Sequence, residues 1–201
     1  ININPVNDAP IIETLSDIEL NEDESTSLLI NITDPDDEIN ISATSSNPYI
    51  QVSINNDELF ISSSSDYSGS GIISVEAIEL GINQIAVSEI FNIEIIPIND
   101  YPIFEPIESI FINEDENIII PLYATDIDYV SLEFIVDEID NIQSYIVGNL
   151  LYLSGNQNYF GESTITVHVI DNYGAADSQN VSVAIQEIND PPVLEFVSAI
   201  E

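Results

Sequence analysis

Apolar and polar residues alternate along short stretches of this chain. In Thr164-Ile165-Thr166-Val167-His168-Val169 every second residue is apolar, putting Ile165, Val167 and Val169 on one side. Asn180-Val181-Ser182-Val183-Ala184-Ile185 keeps the same rhythm, and Ser25–Ile32 sets Leu28, Ile30 and Ile32 on one face. A period of two is that of a half-buried β-strand, and β-branched residues suit its pleat. No segment carries a convincing helical period. The runs are short and bounded by Asn, Asp, Ser, Gly and Pro. About seven of them follow one another in each block of roughly 90 residues, which predicts an all-β sandwich.

The block occurs twice. Asn7-Asp8-Ala9-Pro10 returns as Asn99-Asp100-Tyr101-Pro102 and again as Asn189-Asp190-Pro191-Pro192, at spacings of 92 and 90. Asn21-Glu22-Asp23-Glu24 returns as Asn113-Glu114-Asp115-Glu116, also 92 residues on. The same offset links Asp34-Pro35-Asp36 to Asp126-Ile127-Asp128, and Leu59-Phe60-Ile61-Ser62 to Leu151-Tyr152-Leu153-Ser154. It also links Asp66-Tyr67-Ser68-Gly69 to Asn158-Tyr159-Phe160-Gly161. Matches in register at one offset predict two copies of one domain. The division expected is an upstream joint over 1–9, one repeat over 10–98, a second over 99–188, and a joint with the start of a third over 189–201. The prolines after each Asn-Asp pair predict stiff, extended crossings. Ile1–Asn4 reads as the end of a preceding domain and Val193–Ser198 as the first strand of a following one. The chain is therefore expected to be a segment of a longer protein.

Charge narrows the function. The chain has no Lys or Arg and 37 Asp and Glu, for a formal net charge of −37 over 201 residues. Nucleic-acid binding needs cations to displace counterions from phosphates, and none are available. Anionic membrane surfaces are excluded for the same reason. So is any enzyme built on a Lys base, an Arg clamp or a phosphate-loop lysine. No apolar run approaches the length of a membrane span, and without Cys there is no disulfide framework or thiolate metal site. High net charge alone would suggest disorder. A hydrophobic content of 44%, with 39 Ile residues, supplies a core instead.

The acids concentrate in the repeated motifs, and each motif falls where a sandwich has an end. Glu22 and Glu114 follow the first strand, Asp34 with Asp36 and Asp126 with Asp128 follow the second, and Glu79 and Asp171 close the second-last. On a seven-strand reading, Glu22 and Asp66 fall at one pole of the first repeat. Asp126, Asp128 and Asp171 fall at the opposite pole of the second, with Asn99-Asp100 as the crossing. Carboxylates that converge without a basic partner repel one another, and a bound cation relieves the repulsion. Carboxylate, amide and backbone oxygens in an irregular cage favour Ca²⁺ over Mg²⁺. The alternative is that −37 is a high-salt adaptation with diffuse screening and no specific site.

Taken together, these motifs resemble cadherin repeats. They are most similar to the bacterial and archaeal cadherin-like repeats with a Val-Asn-Asp-Ala-Pro joint, found in very large surface adhesins. The resemblance covers the whole chain, twice. It implies two tandem Ig-like/cadherin-like Greek-key β-sandwiches with Ca²⁺ held between successive domains. It assigns the middle joint to Glu22, Asp66, Asn99, Asp100, Asp126, Asp128 and Asp171. The upstream joint takes Asn7, Asp8, Asp34, Asp36 and Glu79, and the downstream joint Glu114, Asn189 and Asp190. Two departures stand out. Asn158, a weaker ligand, stands where the first repeat has Asp66. Ala9, Tyr101 and Pro191 stand where a cadherin joint has a second Asn.

The remaining chemistry reads as structural. Glu13, Asp17, Glu89 and Glu94 read as solvated faces. His168 shares a face with Thr164 and Thr166 and is expected to be exposed. A lone His makes neither a zinc site nor a catalytic triad. Tyr67 and Tyr159 read as corner tyrosines or core aromatics. Asn31-Ile32-Thr33, Asn40-Ile41-Ser42 and Asn180-Val181-Ser182 fit the glycosylation pattern, which arises readily by chance in such a composition. A glycosidase pair needs two carboxylates across a sugar cleft, whereas these acids repeat at the ends of small domains, so no enzyme is expected. The expected role is that of an extracellular stalk or adhesin segment stiffened by Ca²⁺. Its partners would be neighbouring repeats or copies, with any cell-surface or glycan ligand elsewhere in the full protein. One alternative is a filament subunit joined by strand addition. Another is a carbohydrate-binding module, for which the nine Tyr look too scattered along the sequence to form a face.

Overall fold

The computed structural model describes residues 6–81, 84–128 and 131–192. The chain divides into two compact units, Ile1–Ile98 and Asn99–Glu201. In the first, the strands are β1 (Ile11–Ile12), β2 (Ile18–Asn21), β3 (Ser25–Leu29), β4 (Ile32–Thr33) and β5 (Ile39–Ser45), then β6 (Ile50–Asn55), β7 (Glu58–Ser63), β8 (Gly69–Glu79) and β9 (Ala86–Ile96). They form a four-stranded sheet in the order β2-β9-β8-β5, a three-stranded sheet β3-β7-β6, and the pair β1-β4. β2 lies parallel to β9, and the other pairings are antiparallel.

The second unit repeats this plan with β10 (Ile103–Phe104), β11 (Ile110–Asn113), β12 (Asn117–Pro121), β13 (Ala124–Thr125) and β14 (Leu132–Val136), followed by β15 (Ile142–Val147), β16 (Leu150–Gly155), β17 (Gly161–Asp171) and β18 (Ala176–Gln186). Its sheets are β11-β18-β17-β14, β12-β16-β15 and β10-β13.

Alternation builds each core. Leu59 and Ile61 of β7 meet Ile73 and Val75 of β8 and Ile93 and Ile95 of β9, all essentially without solvent exposure. Leu151, Leu153, Ile165, Val167 and Val183 do the same in the second unit. The inward triad Ile165, Val167, Val169 is as the period requires. Burying such side chains is worth about 1.5–3 kcal/mol each.

One strand expected to be continuous is broken. Ser25–Ile32 divides at Ile30-Asn31: the Ile30 amide, in register beyond Leu29 and Glu58, bonds the Asp57 carbonyl at 2.8 Å in the β6–β7 turn, where the partner strand runs out. β4 then pairs with β1 rather than β7. Leu122 repeats the break, its amide bonding the Asn149 carbonyl at 2.8 Å. Leu28, Ile30 and Ile32 still face the core, since the break preserves the alternation. The long hairpins β8–β9 and β17–β18 set the position of the site. Eleven-residue strands carry Glu79 and Asp171 to the end of each sandwich, where β4 and β13 also deliver the Asp-x-Asp that follows them.

Candidate metal centre

In each unit the same hydrogen bonds gather the Asn-Asp pair and the Asp-x-Asp motif at one pole. In the first, the Asn7 side-chain amide donates to both Glu79 carboxylate oxygens, at 3.1 and 2.9 Å. The Asp8 backbone amide donates to Asp36 Oδ2 at 3.1 Å, and that of Asp36 donates to Asp34 Oδ1 at 2.9 Å. In the second, the Asn99 side-chain amide donates to Asp171 Oδ2 at 2.6 Å. The Asp100 amide donates to Asp128 Oδ2 at 2.8 Å, and the Asp128 amide to Asp126 Oδ1 at 2.9 Å. Carboxylate oxygens of Asp100 and Asp128 lie within 4.8 Å of each other.

Local turn chemistry fixes the placement of these carboxylates. Asp34 Oδ1 also accepts the Asp37 amide at 2.8 Å, an Asx turn that presents Asp34 and Asp36 from one loop. Asp171 Oδ1 accepts the amides of Tyr173, Gly174 and Ala175 at 2.8, 2.5 and 2.8 Å, closing the β17–β18 turn around Gly174, whose φ is +95°. Burial of Asp171 raises its pKa, but the Asn99 amide and these three backbone amides outweigh it and hold the carboxyl below its ordinary value. Glu79, wholly buried, accepts the Ile85 amide at 3.1 Å.

One oxygen in each Asp-x-Asp is left over. Asp34 Oδ2 and Asp126 Oδ2 are shielded from solvent and have no hydrogen-bond donor, and neither does Asn99 Oδ1. An unpartnered buried acceptor costs about 1–3 kcal/mol. A hard cation satisfies an oxygen of this kind, and the donor set here is oxygen throughout. The residues therefore fit Ca²⁺: Asn7, Asp8, Asp34, Asp36 and Glu79 in one unit; Asn99, Asp100, Asp126, Asp128 and Asp171 in the other.

The opposite pole holds Glu22 in the first unit and Glu114 in the second, buried to 6% and 3% exposure. Glu22 Oε1 accepts the Ile98 amide at 2.5 Å, and Glu114 Oε1 that of Ile188 at 2.6 Å. Asp66 stands nearby on a left-handed backbone, φ +52°, its amide donating to Asp23 Oδ1 at 3.1 Å. Carboxylate oxygens of Asp23 and Asp66 lie within 4.8 Å of each other. Sequence reasoning quoted Asp23 within a motif but did not count it among the ligands. The signal available was its own repetition as Asp115, which shares the left-handed φ, +61° against +60°. Asn158 takes the place of Asp66 at φ +57°. Asn189 and Asp190 are exposed, and the Asn189 amide donates to the Asp190 carbonyl at 3.3 Å, as Asn99 does to Asp100 at 3.0 Å. The flanking strands expected at Ile1–Asn4 and Val193–Ser198 lie outside the described residues.

Several residues read as solvated have partners. Asp17 accepts both the backbone and side-chain amides of Asn92, at 2.8 and 3.1 Å, which holds its carboxyl below the ordinary value. Glu13 accepts the Asn31 amide at 2.9 Å. Glu89 shares the inward face of β9 with Phe91 and is half-buried, so the solvated reading fails there; Glu94 is exposed. His168 lies opposite the core, half-buried rather than open, with Nε2 at 3.2 Å from Asp137 Oδ2. Tyr67 packs against the core, stacks on Tyr49 at 4.8 Å and accepts the Asn47 amide at 2.5 Å.

A family model for a bacterial Ig domain matches residues 7–78. No curated protein matches the chain. Among solved structures, mouse cadherin-23 EC22-24 is similar at 19% identity with a TM-score of 0.55, over 91% of this chain and 67% of that one. Human CDH23 EC21-23 is similar at 20% identity with a TM-score of 0.54, over 91% and 66%. Protocadherin gamma B2 domains 3-6 give 14% and 0.56, over 90% and 48%. The chain spans about half the length of the protocadherin ectodomain structures it resembles. The fold is that of tandem Ig-like/cadherin-like β-sandwiches.

Proposed function

We propose that this chain is a segment of an extracellular stalk or adhesin whose successive repeats are stiffened by Ca²⁺. The observation that carries this reading is the pair of buried, donorless oxygens, Asp34 Oδ2 and Asp126 Oδ2, at equivalent places in two copies of one hydrogen-bonded motif. A turn or a solvated acidic face has no reason to bury a carboxylate oxygen twice without a donor. Asp34 with Asp36, Asn7, Asp8 and Glu79, and Asp126 with Asp128, Asn99, Asp100 and Asp171, each supply part of an oxygen cage. Glu22, Asp23 and Asp66, and Glu114 with Asn189 and Asp190, supply further oxygens toward the joints. With calcium bound, the acidic ends are neutralised and each joint stiffens; without it, 37 carboxylates against no Lys or Arg drive the repeats apart. An affinity at the weak end expected of extracellular modules, about 10⁻⁴ M, suits this role.

Thermal unfolding in EGTA, followed by titration of Ca²⁺ and of Na⁺ at matched ionic strength, tests the reading. Binding to the folded state stabilises it by RT ln(1 + [L]/Kd), about 2.7 kcal/mol at a hundredfold excess over Kd. A rise specific to calcium supports the joint sites. A rise that follows ionic strength alone leaves diffuse screening as the explanation and defeats them.

A further inference from the structure

The outer face of the β12-β16-β15 sheet is uncharged in a chain carrying 37 acids. Its central row is Ile119, Tyr152 and Tyr145, aligned directly across the three strands. The next row, Pro121, Leu150 and Val147, is apolar as well. Ile119, Tyr145 and Val147 are 52%, 56% and 59% exposed. Tyr145 and Tyr152 stack with centroids 4.7 Å apart and planes 4° from parallel. β15 is an edge strand, so the second face of the Tyr145 ring has no neighbour within the sheet.

On its other side the aromatic row borders Asn117, Ser154 and Gln143, a row of amides and a hydroxyl. From there a groove of about 600 Å³ opens, to which Asp115, Glu116 and Gln157 contribute acceptors. An exposed apolar face of this kind marks a binding surface. The two tyrosines are seven residues apart in sequence, and the β15–β16 hairpin brings them opposite each other, a face that the scatter of Tyr along the chain concealed.

We propose that this face binds a neutral, extended polysaccharide. The π-face of an aromatic ring is electron-rich and meets the C–H face of a pyranose favourably, while the adjoining amides and carboxylates accept sugar hydroxyls. A second copy of the chain is disfavoured as occupant because it brings another −37 charges, and an acidic glycan is disfavoured for the same reason. A protein of opposite charge would seek an acidic surface, whereas here the acids, Asp115 and Glu116, only border an uncharged face. The platform measures about 10 Å across its three strands and about 13 Å along Gln143–Val147. A flat sheet face suits the interior of a chain rather than a terminal sugar. The corresponding face of the first unit carries Phe60 between Ser27 and Ser53, with a carboxylate, Glu58, beside it. A single ring there gives a poorer platform, so binding belongs to the second unit.

The test is native affinity electrophoresis of the whole chain through gels containing hydroxyethylcellulose, glucomannan or laminarin, with alginate as the acidic control. Retardation is expected in at least one neutral gel and not in alginate. Tyr145→Ala should weaken it at least tenfold, Tyr145→Phe should retain it, and Phe60→Ala should leave it unchanged. Lack of retardation in all three neutral gels overturns the proposal, as does retardation indifferent to Tyr145→Ala. Sedimentation showing a dimer that Tyr145→Ala dissociates assigns the face to a second copy instead and also overturns it. Should Tyr145→Ala fail to fold, tyrosine fluorescence of the unaltered chain titrated with the retarding glycan decides, together with Gln143→Ala: a saturable change that Gln143→Ala weakens supports the face, and its absence refutes it.

Discussion

Glu22 and Ile98 lie 76 residues apart, yet Glu22 Oε1 accepts the Ile98 backbone amide at 2.5 Å; Glu114 and Ile188 repeat the bond at 2.6 Å. In each unit the end of the last strand is thus tied to the end of β2 or β11 by a buried carboxylate. Removing the side chain leaves that amide without its acceptor. Glu114→Ala should therefore destabilise the second unit by about 1–3 kcal/mol. Glu114→Gln keeps an accepting oxygen and should cost clearly less. Urea unfolding in EGTA measures both, so that any metal contribution is absent. Equal losses would mean that charge, not the hydrogen bond, holds the joint.

Asp126 invites the opposite prediction. Its Oδ1 accepts the Asp128 amide, while Oδ2 is buried without a donor. Asp126→Asn keeps the first bond and removes a charge from a cluster that includes Asp100 and Asp128. In EGTA the melting temperature should stay the same or rise, because less repulsion remains. In calcium the order reverses, and half-saturation should require at least tenfold more metal. Differential scanning calorimetry across a calcium series reads both effects. An unchanged calcium response would remove Asp126 from the ligand set.

Much of this molecule was legible in its sequence because its information is local and said twice. Alternation specifies the inward faces of β17 and β18, and the 92-residue offset marks Asp34 and Asp126 as equivalent. What stayed hidden depends on pairing between distant strands. Tyr145 meets Tyr152 only because a two-residue turn at Gly148-Asn149 sets the register of β15 against β16. Asp17 looked like surface because its partner, Asn92, lies 75 residues away. Asp23 did not stand out as a candidate, since its position depends on a left-handed backbone, φ +61°, that carries it toward Asp66.

Backbone conformation makes two glycines irreplaceable. Gly69 and Gly161 open β8 and β17 at φ +145° and +151°. A Cβ added there would come within 2.5 Å of the Tyr67 hydroxyl oxygen or 3.0 Å of that of Tyr159. Gly161→Ala should cost about 1–3 kcal/mol, combining strain with displacement of the tyrosine. Gly148, at φ +63° with open space around it, provides the control. Gly148→Ala meets backbone strain alone and should cost about 1 kcal/mol. Denaturant midpoints of the two variants separate steric crowding from the left-handed penalty; equal losses would assign all of it to the backbone.

The Asp17–Asn92 contact predicts a pH dependence with a definite sign. The Asn92 backbone and side-chain amides hold the Asp17 carboxyl below its ordinary value of 3.8. A group whose pKa is lower in the folded state binds protons more readily when unfolded, so its stabilisation is complete above the unfolded value. It is lost as pH falls through the lower, folded value. Asp17→Asn keeps the shape but gives up the ionised acceptor, and should lower the melting temperature of the first unit by a few degrees at pH 7. As pH falls through the lowered, folded value the native carboxyl is protonated, so the difference between the two proteins should shrink toward zero. Melting curves of both proteins from pH 7 down to pH 2.5, in EGTA throughout, give the comparison. A gap that stays constant across that range would mean the Asn92 bonds do not favour the ionised form, and that Asp17 acts through packing alone.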